Sequence, residues 1–363
     1  MLARRRYRRR GAGFFQLSVA ATTPPSTGAS IGAVHRPAPP AAADLVAWPD
    51  DFGTRFTIMV DTEEEFDWNE PLSRDSRGAS AMAALPEAHR RFVDRGVPLT
   101  YLIDHPIATD PLSIDVLRGV LADGVSAIGT QLHPWVNPPF EESITPANSF
   151  VGNLPEALEA AKIDALSTAI VAAFGVAPRA YRAGRYGIGR STFALLASRG
   201  YRIDSSMRSA YDYSAEGGPD FRAIGNHAFH AGPDGAILEL PLTSVFTGAA
   251  RRGGMALYRA LKHVPKGRGV FARAGLLSRV ALTPEDMPLA DVLEAIAVAL
   301  GEGVRVLNFS FHSPSLAPGH TPYVRDVADL VAFHRWWDSV LADLDRRGVR
   351  PASLDQLIAA GAK

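Results

Sequence analysis

From Phe56 onward, short apolar runs rich in β-branched residues alternate with stretches of helical periodicity. FTIMVD, residues 56–61, reads as a buried strand ending on an acid, and a helical pattern follows from about Met82 to Arg95. VPLTYLID and VSAIGTQLH are the next strand patterns. A long loop then leads to an Ala-rich helix from about Pro155 to Phe174. RAYRAGR, a helix from Ser191 to Arg199, and YRIDSS come next, then AILELPL and an insertion with basic, helical segments. A helix around Ala290 to Leu300, the strand VRVLNFSFH and two helices starting near Arg325 and Ser353 close the chain. Strands separated by helices of this length are βα units and imply a parallel sheet. About seven such units, with no internal repeat or linker, are expected as one domain over residues 48–363.

The first 47 residues depart from this pattern. Six Arg in the first ten precede a stretch rich in Ala, Pro, Gly, Ser and Thr, which lacks the apolar density to offset its own ordering entropy. A disordered tail is expected over 1–47. GFFQLSVAA follows a basic start in the order of a secretory signal but is short and interrupted by Gln16, so a solvated tail is preferred. The reading places the chain in the cytoplasm and leaves export open.

Composition removes several classes of function. The 363 residues contain no cysteine, which excludes thiolate nucleophiles, Cys-ligated zinc and iron–sulfur clusters. Lys plus Arg and Asp plus Glu both number 38, so net charge gives no case for nucleic acid as a partner. No apolar run approaches the roughly 18 residues of a membrane span. GxGxxG, GxxxxGK[ST] and GxSxG patterns are missing, so a nucleotide cradle and a serine-esterase elbow are not expected.

The reactive side chains sit where the strand patterns end: Asp61 and Glu63, His133, Arg182, Asp204 and His312. If the strands close into a barrel, these ends meet on one rim, where barrel enzymes hold their active sites. Asp61 and Glu63 share a face of an extended segment, and two adjacent carboxylates call for a metal ion or an Arg to compensate them. Glu64, Glu65 and Asp67 read instead as a solvated acidic loop. His133 with Glu63 suits a divalent metal, with Gln131 and Asn137 nearby offering only amide oxygens. Arg182 can lock a carboxylate by paired hydrogen bonds. Asp204 reads as either a site residue or an N-cap. His312, leaving an apolar strand before Ser313-Pro314, is placed for general acid work.

This ordered set resembles the polysaccharide deacetylase family, the NodB-homology carbohydrate esterases, over about 300 residues from Phe56. FTIMVDTEEEFDW, IGTQLHPW, YRAGRYG, YRIDSS and NFSFHSP are similar to its five motifs in order, and RRGVRPASLDQL to its usual close. The resemblance implies a single distorted (β/α) barrel and hydrolysis of amide C–N bonds, foremost de-N-acetylation of an amino sugar in a glycan. It implies Asp61 as base, Arg182 orienting it, His312 as acid and Asp204 supporting that acid. Glu63 and His133 are implied as ligands of a divalent ion, zinc by default. The family's earlier second-motif histidine is Gln131 here, and Asn137 is the alternative third ligand. Trp135 and Tyr186 are expected to touch substrate. A small-molecule amide on the same fold, or a glycan-binding protein with weakened catalysis, are the rival readings. Oligomeric state is left open.

Overall fold

The computed structural model describes residues 34–363. The signal-like segment and most of the expected tail lie outside the described residues. Residues 34–47 do make specific contacts: Leu45 bridges to Phe229, and Val46 N–H donates to the Ala228 carbonyl. The His35 carbonyl accepts from Asp220 N–H, so this part of the expected tail runs against the domain.

The strands are β1 (Arg55–Thr62), β2 (Leu99–Ile103), β3 (Ala127–Leu132), β4 (Ala180–Ala183), β5 (Ile203–Asp204), β6 (Phe229–Ala231), β7 (Ile237–Glu239), β8 (Ser244–Thr247), β9 (Ser278–Ala281), β10 (Val306–His312) and β11 (Arg350–Pro351). The main sheet runs β10-β1-β2-β3-β4-β5-β7-β6, with β11 pairing β1. Every pairing from β10 to β7 is parallel, which makes seven parallel strands, and only β6 is antiparallel. The sheet curls into a half-barrel. Between β7 and β10, where a ladder would close the barrel, Thr243 and Asn308 exchange hydrogen bonds instead, and β8–β9 forms a separate two-stranded sheet.

The helices are α1 (Leu85–Val93), α2 (His105–Thr109), α3 (Pro111–Val120), α4 (Glu156–Phe174), α5 (Thr192–Ala197), α6 (Gly254–Ala260), α7 (Gly267–Arg273), α8 (Leu289–Gly301), α9 (Val327–Arg346) and α10 (Leu354–Ala360). The reading above did not anticipate α2 and α3. Each starts on an aspartate N-cap, Asp104 or Asp110, followed by Pro in its first turn.

Strand parity divides the core and places the site. Ile58 and Val60 face the outer helices with Tyr101, Ile103 and Tyr181. Met59, Leu102, Ala180, Ile203 and Leu238 face the barrel interior, closed by Trp48, Phe52, Leu354 and Leu357. Burying each such aliphatic side chain contributes about 1.5–3 kcal/mol. Successive residues alternate faces, so Asp61 follows Met59 onto the interior face and meets His312 in register.

Candidate active site

Asp61 is almost completely buried and ion-pairs with Arg182. Arg182 is fixed in turn: its Nε donates to the Ser205 carbonyl and its Nη2 to Ser205 Oγ, each at 2.9 Å. The other Asp61 oxygen lies 3.7 Å from His312 Nε2. The structure therefore brings three of the expected catalytic residues together, with Asp61 between a guanidinium and an imidazole.

The group behind His312 is Glu285, which the sequence reading missed. Its Oε2 lies 2.6 Å from His312 Nδ1, and its Oε1 accepts from His312 N–H and from Ser315 Oγ. Burial pulls the His312 pKa down, but Glu285, Glu63 and Asp61 more than reverse this and hold it well above the ordinary imidazole value. Burial pushes Glu285 up, and His312 with the Ser315 hydrogen bond brings it below the usual carboxylate range. Nδ1, facing a carboxylate, carries one proton, and in the imidazolium that these carboxylates favour Nε2 carries the second, on the side of Asp61.

Asp204 does not fill that role. It registers with Tyr181 and Glu239, on the outward side of the sheet, while its neighbour Ser205 takes the inward position beneath Arg182. Its carboxylate accepts from Ser206 Oγ at 2.6 Å and neighbours Glu239, and burial raises the pKa of both acids. The correction follows from parity: β5 ends one residue out of step with the expected direction.

His133 is clamped on both sides. Its Nδ1 lies 2.8 Å from Glu64 Oε2, and Trp135 stacks on the ring at 4.4 Å while donating Nε1–H to Glu64 Oε1. A Cβ on Gly184 would come within 2.3 Å of the His133 ring, so the ring needs a glycine beside it. Trp135 is only 3% exposed, and its ring and N–H are committed to His133 and Glu64. Glu64 is no solvated loop acid, contrary to expectation: it is fully buried, bonded to Asp104 and pushed by burial up to about 8.

Glu64, Asp104 and His133 offer ligand atoms within 4.8 Å of one another. Their oxygens are already engaged, however. Asp104 caps α2 through Ile107 N–H and accepts from Glu64 N–H, and burial with Glu64 beside it raises its pKa well above the usual range. The trio is a hydrogen-bonded support behind the ring. The groups that could hold an ion lie on the Nε2 side of His133. Glu63 Oε2 is 3.5 Å from that nitrogen, and the Gln131 amide nitrogen lies 2.9 Å from Glu63 Oε2 and 3.2 Å from Nε2. Glu63 Oε1 and Gln131 Oε1 are both buried with no hydrogen-bond partner, and burial pushes Glu63 up to about 7. A carboxylate with one unsatisfied oxygen and an imidazole nitrogen fit a weakly held divalent cation, and the unpaired Gln131 amide oxygen would join them if the amide, whose nitrogen faces both here, were turned. Asn137 does not join them. Its amide donates to the Pro138 and Lys162 carbonyls, turned toward α4.

Asp61, Glu63, Gln131, His133, Arg182 and His312 open on a cavity of about 1040 Å³. Loop residues 66–72 and 208–216 and the insertion from Met255 to Arg279 form its walls. Trp68 meets the His312 ring edge-on at 5.3 Å, and Tyr323 meets Trp68 at 5.5 Å. Arg185 and Tyr186, consecutive residues with left-handed φ of 53° and 61°, carry the chain past the cavity. Arg185 is spent on Glu216 and Ser149, and Tyr186 stacks on Tyr213 at 5.5 Å.

No protein-family model and no curated protein matches the chain. Among solved structures it is similar to a Mycobacterium smegmatis protein described as a polysaccharide deacetylase. The identity there is 19%, with 88% of this chain and 94% of that one covered and a TM-score of 0.50. The allantoinase Puue matches at 15% identity over 88% and 97% of the two chains, with a TM-score of 0.49. A chitin deacetylase from Colletotrichum lindemuthianum matches at 12% over 87% and 88%, with a TM-score of 0.34. The fold is the NodB-like fold of the polysaccharide deacetylases.

Proposed function

We propose that the protein hydrolyses an amide C–N bond, foremost the N-acetyl group of an amino sugar. The observation that carries this reading is Asp61, fixed between Arg182 and His312 at the wall of the cavity. Asp61, oriented by the Arg182 guanidinium, removes a proton from the attacking water. His312, held by Glu285, delivers its Nε2 proton to the departing nitrogen as the C–N bond breaks. The backbone N–H groups of Arg185 and Tyr186 are the candidates to meet the developing oxyanion. Glu63, His133 and a turned Gln131 amide would hold a divalent ion, zinc by default. Such an ion supplies carbonyl polarisation and a lowered pKa for bound water. Trp68 and Tyr323 offer aromatic surface against which a sugar ring can lie. A smaller amide is the second reading, favoured by the walls that the insertion and residues 208–216 raise around the cavity.

Acetate release from N-acetylated oligosaccharides tests the proposal. Asp61→Asn should lower turnover by about 10²–10⁴-fold with the circular dichroism spectrum retained. More than a tenth of wild-type turnover in that variant would remove Asp61 from the chemistry. If a small linear amide is cleaved and the oligosaccharides are not, the second reading replaces the first.

A further inference from the structure

The chain is electrically neutral as a whole, but its cavity is not. Ten Lys or Arg side chains line it against four Asp or Glu. Three of those carboxylates are engaged by Arg182, Arg185 and Arg222, and the fourth, Glu63, faces Gln131 and His133. Most of the remaining lining cations are drawn from the insertion.

Arg208 and Arg279 are the two that matter most. Arg208 follows β5 and bridges to Leu242, and Arg279 lies on β9. Their guanidinium carbons sit 4.0 and 3.4 Å from the centre of the Tyr211 ring, and Arg208 also lies 5.5 Å from that of Tyr186. Arg279 is steadied by its bond to the Ala210 carbonyl at 2.9 Å. Among the described residues neither forms an ion pair, and the Nε of each is buried with no hydrogen-bond partner. Both residues are half-buried, and aromatic stacking steadies such cations without supplying a counter-ion. Their field is felt at Tyr211: burial pushes its hydroxyl up, and the two guanidiniums more than reverse that. A cleft lined by one sign of charge also concentrates ligands of the other. Tyr186, beneath Arg208, lines the same cavity as Asp61 and His312, which places the pair in the chamber where the chemistry occurs.

We propose that Arg208 and Arg279 form an oxyanion-binding subsite, and that the amide substrate carries a carboxylate or phosphate close to the bond that is cleaved. The subsite rests on the hydrolase reading for its purpose, though not for its binding. Guanidinium groups pair with both anions by two parallel hydrogen bonds, so the shared chemistry is the oxyanion itself.

The probes are N-acetylglucosamine, its phosphate ester and N-acetylmuramic acid, which carries a carboxylate. Each is titrated calorimetrically into the full chain and assayed for acetate release, with wild type and Arg279→Gln. Both acidic sugars, or one, should bind at least tenfold more tightly than the neutral sugar. The acidic-to-neutral ratio should fall about 10- to 150-fold in Arg279→Gln, the loss expected for one charge-assisted contact. The tighter of the two acids assigns the oxyanion as phosphate or carboxylate. Equal binding of all three sugars, no binding of any, or a ratio unchanged in the variant would overturn the subsite. Selective binding without acetate release keeps the subsite and removes the hydrolase reading, and unselective acetate release does the reverse. Should Arg279→Gln not fold, Arg279→Lys retains the charge without the planar fork and should show a smaller loss of the same ratio.

Discussion

Replacing Glu285 with Gln isolates what makes His312 an acid. The variant keeps the shape and leaves one oxygen to accept from His312 N–H and Ser315 Oγ. It puts an amide N–H, in place of a carboxylate oxygen, against His312 Nδ1, now 2.6 Å from Oε2. Two donors cannot face each other, so Nδ1 gives up its proton and the imidazolium loses its largest stabilising charge. A hydrogen bond to a charged group is worth about 1.5–3 kcal/mol. At about 1.36 kcal/mol per tenfold, kcat/KM near neutral pH should fall about 10- to 150-fold. The sign in pH follows from the direction of the shift. A histidine held above its ordinary value stays protonated to higher pH, and the acid is lost as pH rises through that raised value. Weakening it moves the alkaline limb of the kcat/KM profile to lower pH. Full profiles of wild type and Glu285→Gln are the assay, with Asp204→Asn as the control that should leave the alkaline limb in place. An unmoved limb in Glu285→Gln, with activity within twofold of wild type, would refute the argument; so would a shift seen only in Asp204→Asn.

Three further outcomes follow from the same geometry. Gln131→His supplies a second imidazole beside Glu63 and should tighten zinc binding in calorimetry, whereas Asn137→His, turned toward α4, should not. Trp135→Phe removes the donor to Glu64 Oε1 and should cost about 1–3 kcal/mol in urea unfolding with KM little changed; a large KM effect would make the ring a substrate contact. Lys162, fully buried, bonds the carbonyls of Pro134, Asn137 and Pro139 and pairs with Glu142, so Lys162→Met should destabilise by about 3–5 kcal/mol, measured by urea unfolding.

The strand ends were readable because each apolar run stops on a polar residue, and parallel pairing brings those stops to one rim. That logic carries Asp61, Arg182 and His312 into contact. It fails at Asp204 because β5 is only two residues long, too short for its alternation to show which residue faces inward. Glu285 lies in the turn after β9, where no period exists to read, and only the folded chain sets it against His312. The paired starts at Asp104-His105-Pro106 and Asp110-Pro111 were legible as caps with Pro in the first turn, and reading them would have supplied α2 and α3. Glu64 looked like one of several loop acids, because nothing local signals that His133, Trp135 and Asp104 will close around it.

The placement of Glu285 bears on how such a protein can diverge. The residues delivered by β1, β4 and β10 reach the site independently, so a change in one connecting loop leaves the others in place. Arg279 and Glu285 instead lie six positions apart on a single stretch of chain, one on the cavity wall and the other against His312. Exchanging or lengthening that stretch therefore alters two properties at once: which molecules are admitted, and how readily the imidazole releases its proton. Recombination between relatives at the flanks of β8 and α8 would transfer both as one cassette, and selection for a new ligand there would retune the acid as a by-product.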